Sequence, residues 1–149
     1  MSTQQNLKVQ DSPATIASQL TQVRQQIAEA AVAAGRQSGS VRLLAVSKTF
    51  GADAVIEAVQ AGQTAFGENY IQEGVEKIQA LRQWLAGPAQ AGQAALEWHC
   101  IGPIQSNKTR LLAAHFDWVQ SVDRLKIAQR LSEQRPLDLP PLQICLQVN

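Results

Sequence analysis

The chain has 149 residues, 45% of them hydrophobic and 17% charged, which suits one globular domain with enough apolar surface for a core. Its formal charge of +1, from 13 basic against 12 acidic residues, gives no electrostatic ground for binding nucleic acid or an acidic membrane. Cys100 and Cys145 lie far apart in apolar runs; without a CxxC pair, and with only two histidines, neither a disulfide framework nor a structural zinc site is expected, and both thiols are read as buried and reduced.

The polar start, Met1-Ser-Thr-Gln-Gln-Asn6, lacks the basic-then-apolar order of a secretory signal, and no apolar run approaches the ~20 residues that span a bilayer. A cytoplasmic location is expected, with residues 1–11 disordered. Ser12 and Pro13 read as N-cap and first residue of a helix whose stripe is Ile16, Leu20, Val23, Ile27 and Ala31, with Gly35 as the stop. Residues 41–48 are short, apolar and bounded by turn formers, as a buried strand would be.

A helix through Val55, Ile56 and Val59 runs to Gly62, and a second strand follows at residues 65–69. The next helix carries Ile71, Val75, Ile78, Leu81 and Leu85 on one face and ends at Gly87-Pro88. After a loop at residues 86–95 come a strand at 97–102, a helix at 108–114 and a strand at 116–122. Asp123 should then cap a helix bearing Leu125, Ile127, Ala128 and Leu131, and a proline-rich loop leads to a fifth strand at 142–148. Such regular alternation predicts a parallel sheet with right-handed crossovers. Two architectures fit: a doubly wound sheet of five strands, or the first five strands of an eight-stranded barrel.

Functional groups in such folds gather at the carboxyl ends of the strands. There stand Ser47-Lys48-Thr49, Glu68-Asn69-Tyr70, the Gly102-to-Lys108 segment, Asp123-Arg124 and Asn149. Lys48 alternates in line with Leu44 and Val46, which would aim it at a partly apolar interior. A lysine acts as a nucleophile when burial or nearby cations lower its pKa, although a lysine at a strand end commonly just reaches solvent. Asn69 holds the equivalent place on the next strand; its amide can orient a cofactor ring, or simply serve a turn. Tyr70 reads as a helix-start packing residue, His99 as a hydrogen-bonded core histidine and His115 as a helix-end residue without a functional role. Gly102-Pro103 gives a phosphate close backbone access, but neither GxGxxG nor GxxxxGK[ST] is present.

Four segments, in order, resemble those of the pyridoxal phosphate homeostasis proteins, whose fold is similar to the barrel domain of alanine racemase. They are Leu43-Leu-Ala-Val-Ser-Lys-Thr49, Phe66-Gly-Glu-Asn-Tyr-Ile-Gln-Glu73, Trp98-His-Cys-Ile-Gly-Pro-Ile-Gln-Ser-Asn-Lys108 and Val122-Asp-Arg-Leu-Lys126. With the closing Leu146-Gln-Val-Asn149, the resemblance spans residues 41–149. It implies that Lys48 carries pyridoxal 5'-phosphate as an internal aldimine and that Asn69 belongs to the cofactor pocket. It also implies a carrier that buffers or delivers the cofactor, to pyridoxal-phosphate-dependent apoenzymes among others, with no established turnover.

The expected architecture is therefore a single α/β domain over residues 1–149: a (β/α) TIM-barrel type truncated after about five strands, with an extra N-terminal helix. A complete barrel has eight strands and typically ~250 residues. The family's later segments, with their serine- and glycine-rich phosphate cup, have no counterpart in this sequence, so strands one and five should be open edges and cofactor affinity should be weak. The alternatives are an interaction module or fragment that no longer binds the cofactor, and a racemase- or aldolase-like enzyme using Lys48.

Overall fold

The computed structural model describes residues 13–149, so the expected disorder of residues 1–11 and the Ser12 cap lie outside the described residues. Five strands, β1 (Ala45–Val46), β2 (Ala65–Glu68), β3 (Glu97–Cys100), β4 (Trp118–Val122) and β5 (Gln143–Leu146), alternate with helices. The helices are α1 (Ile16–Ala33), α2 (Ala52–Gln60), α3 (Ile71–Leu85), α4 (Thr109–His115) and α5 (Leu125–Gln134), and α1 precedes the sheet. Each strand pairs in parallel with the next, in the order β1-β2-β3-β4-β5. A doubly wound sheet reverses its strand order at a switch point, so this unreversed order excludes that alternative. The sheet is open, with β1 and β5 as its edges.

Strand register decides which side chains share a face. Ala45, Phe66 and Trp98 align on one side, followed by Glu68 with Cys100. That side meets the helices: Phe66, Trp98, Cys100 and Val119 join Val55, Ile78, Leu81, Leu112, Ile127 and Leu131 in one buried cluster. Each of the large apolar members stabilises the fold by about 1.5–3 kcal/mol on burial. The other side carries Val46, Gly67, His99 and Trp118. There Leu44 and Ile101 close over Gly67, while Val46 remains 48% exposed. An irregularity between Val119 and Val122 lets both residues face the core.

Several local expectations need correction. The first helix begins three residues after Pro13, because Thr15 forms a reciprocal capping box with Ser18. Gly35 does stop it, with φ +70°. Val23 is exposed; Leu20 and Ala31 of the expected stripe are buried, and part-buried Arg24 donates to Ala61 O and Gln63 Oε1 at 2.9 Å each. Asp123 does not cap α5, whose N-cap is Arg124 without a side-chain cap bond, and Leu125 is exposed. Cys145 is exposed, since every residue of edge strand β5 is. Cys100 is buried as expected, and burial pushes its thiol pKa up to about 11, which keeps it protonated and unreactive.

Candidate functional site

Lys48 and Asn69 each lie two residues past the registered pair Val46 and Gly67, at the carboxyl ends of adjacent parallel strands. The sheet topology therefore brings both to one end of the structure. Lys48 is not on a strand, however. The first strand ends at Val46, and Lys48 sits exposed in the turn that follows. Two residues of edge strand are too few to carry it inward, so the expected projection into an apolar interior is not seen. Lys48 makes no ion pair or side-chain hydrogen bond with the described residues, and Asn69 is half-buried with its amide likewise uncommitted. An amine and an amide, neither bonded to another described side chain, thus stand at the same end of neighbouring strands.

The backbone around Lys48 is fixed from below by a buried charged cluster. Glu68 follows Phe66 on the helix-facing side of β2 and is fully buried (0% exposed). Its Oε1 accepts from Ser47 Oγ and from Lys77 Nζ, both at 2.7 Å, while its Oε2 has no partner among the described residues. Lys77, 6% exposed on α3, also donates to Ser47 O at 2.7 Å and to Glu73 Oε1 at 2.8 Å. That saturates its three N–H groups. Glu73 Oε1 in turn accepts from the Thr49 backbone N–H at 2.8 Å. The Lys77 ammonium, ahead of the Thr49 amide, holds the Glu73 carboxyl below its ordinary pKa. Thr49 adopts φ +67°, a left-handed conformation that costs a β-branched residue about 1–3 kcal/mol and persists only where its surroundings enforce it.

Asn69 is held differently. A Cβ on Gly102 would lie 2.4 Å from Asn69 O and 2.8 Å from its Cα, so only glycine lets the β3 loop pass. Gly102 O accepts from Ser121 Oγ at 2.6 Å. Close approach at Gly102 thus serves loop-to-loop packing rather than an open phosphate cradle.

The other singled-out residues take structural places. Tyr70 is the N-cap of α3 and is 60% exposed, so it does not pack at the helix start as expected. His99 is buried between Glu97 Oε1, 2.7 Å from Nε2, and Gln120 Nε2, 2.9 Å from Nδ1, and it stacks on Trp118. That pairing assigns the proton to Nε2 and bears out the hydrogen-bonded core reading. His115 Nδ1 donates to Leu111 O at 2.9 Å.

Sequence reasoning placed Glu68 at a strand end without giving it a role, and it missed Glu73 and Lys77. A signal was present: residue 77 is three after Gly74 and four before Leu81, on the buried arc of α3.

The family model for the alanine racemase N-terminal domain matches residues 18–149. Curated relatives include the pyridoxal phosphate homeostasis proteins of Vibrio cholerae, 55% identical over 91% of this chain and 55% of the relative, and of Escherichia coli K12, 53% identical over 90% and 54%. The chain thus spans about half the length of the curated relatives it matches. Among solved structures, PipY of Synechococcus elongatus with pyridoxal phosphate bound is 38% identical, with a TM-score of 0.64 over 80% of this chain and 48% of that one. No helix among the described residues is long and apolar enough to cross a membrane. With an open, sequentially ordered parallel sheet and a family match over residues 18–149, this chain belongs to the alanine racemase N-terminal domain family.

Proposed function

We propose that this chain is the cofactor-attaching part of a cytoplasmic carrier that holds pyridoxal 5'-phosphate for intracellular vitamin B6 homeostasis and hands it to apoenzymes. Lys48 supplies the attaching amine: its nitrogen adds to the cofactor's aldehyde carbon and the aldehyde oxygen leaves as water, so the bond is reversible. Asn69 is the second pocket residue, and its amide is the hydrogen-bond partner offered to the ring. The observation that carries this reading is the uncommitted Lys48 amine beside Asn69 at the carboxyl end of the sheet. The pyridoxal phosphate bound in PipY and the name shared by the curated relatives support it.

Within this reading the five strands are consecutive staves of a barrel in one domain. Their unreversed order and single helix-covered face support that arrangement. The carrier has no turnover of its own.

Titration of the folded chain with pyridoxal phosphate, followed by absorbance beside Lys48→Ala, tests the proposal. A Schiff-base band that disappears in Lys48→Ala is expected. Folded protein whose band is absent, or survives in the variant, overturns the reading.

A further inference from the structure

Both peptide groups that flank Lys48 are bonded to side chains of one helix. The carbonyl of the Ser47–Lys48 peptide accepts from Lys77 Nζ at 2.7 Å, and the amide of the Lys48–Thr49 peptide donates to Glu73 Oε1 at 2.8 Å. Lys77 and Glu73 are themselves paired at 2.8 Å, one helical turn apart, and buried Glu68 anchors Lys77 from beneath at 2.7 Å. Two fixed peptide planes leave Lys48 little freedom in its own φ and ψ, so the direction of its Cα–Cβ bond is set by α3 rather than by a strand.

We infer that the Glu73–Lys77 pair is a positioning device for Lys48, clamping its two flanking peptides so that its side chain leaves the turn in one fixed direction at the carboxyl end of the sheet. The inference rests on the reading of Lys48 as the attachment residue. The left-handed Thr49 supports it independently: a threonine there relaxes out of φ +67° unless something holds its amide, and Glu73 does. The cluster's chemistry fits a clamp better than a reactive group. Lys77 has all three protons committed to acceptors and is 6% exposed, so it is no competing amine. Glu73 is the accessible half of the device, with its side chain 35% exposed, and it can be altered without opening the core.

The test is the rate at which the Schiff-base band forms when pyridoxal phosphate is mixed with the purified chain, compared among Glu73→Leu, Glu73→Gln and Lys48→Ala. Leucine removes the acceptor for Thr49, whereas glutamine keeps an oxygen in its place. Misplacing a reacting group by about 1 Å can cost up to ~100-fold, so a loss of about tenfold is expected for Glu73→Leu, with rescue by Glu73→Gln and an unchanged far-UV spectrum. If Glu73→Leu does not fold, Glu73→Asp, which withdraws the carboxylate by one methylene, takes its place with the same expected slowing. A folded Glu73→Leu or Glu73→Asp protein that forms a Lys48-dependent band at the wild-type rate overturns the clamp and leaves the attachment reading standing. A band that persists in Lys48→Ala overturns the attachment reading, and the clamp with it.

Discussion

Two polar clusters lie on opposite faces of the same sheet, and they are built in opposite ways. On the helix-facing side, Glu68 and Lys77 are 0% and 6% exposed and tie α3 to the turn that holds Lys48. On the other side, Arg42, Glu97, His99 and Gln120 form a chain of contacts that reaches from the 65%-exposed Arg42 side chain to the stacked ring of His99. The first cluster sits where water cannot compensate a lost partner, so its members stand or fall together. The second is solvated at its Arg42 and Glu97 end, by the amino end of β3, and loss there should be tolerated. The contrast teaches that charge matters most here under the carboxyl end of β1 and β2, where the candidate site is.

The sharpest way to break this contrast is Lys77→Met. It strands the Glu68 carboxylate, whose Oε2 is already without a partner, and should destabilise the fold by about 3–5 kcal/mol in chemical denaturation. Adding Glu68→Leu should restore most of that loss; a double variant as unstable as the single one would mean that packing, not charge, is at stake. Gly102→Ala comes next. Its Cβ meets Asn69 backbone that cannot rotate away, so a cost of about 1–3 kcal/mol and a shifted Asn69 amide resonance are expected.

The pH dependence is a smaller effect with a definite sign. The folded pKa of Glu73 is lowered, first by its hydrogen bond to Lys77, so its contribution is present above the ordinary glutamate pKa of about 4.3 and is lost as pH falls through the lowered folded value. Glu73→Gln should flatten the acid limb of a stability profile below that ordinary value, and an unchanged limb would place the titration elsewhere. Arg42→Ala should be nearly silent, at about 0–1 kcal/mol, because its 3.2 Å pair with Glu97 is solvated. A larger loss there would erase the distinction between the two clusters.

Much of the fold was legible because apolar spacing and turn residues repeat at every unit. The five strands fall within the segments that alternation marks out, and Gly35 stops α1 where the pattern ends. What the pattern left open, barrel or doubly wound sheet, depends on strand order, and neighbours in space are not encoded in local periodicity. The site was half legible. Lys48 and Asn69 stand out because strand ends are where function gathers. Their supports did not: Glu73 and Lys77, four apart on a helix, look like an exposed ion pair, and nothing in the strand pattern shows that Glu68 is buried against Lys77. The length of β1 was overread, because Val41 to Lys48 is apolar enough to be a strand, yet only Ala45 and Val46 pair with β2.

The most direct test of the central claim is to load the chain with pyridoxal phosphate at neutral pH, reduce with borohydride and map the pyridoxyl group by mass spectrometry. The account predicts the modification on Lys48, with Lys77 unlabelled because its ammonium is buried and fully bonded. Label spread over Lys108 and Lys126 at the level of Lys48, or found on Lys77 in folded protein, would contradict it.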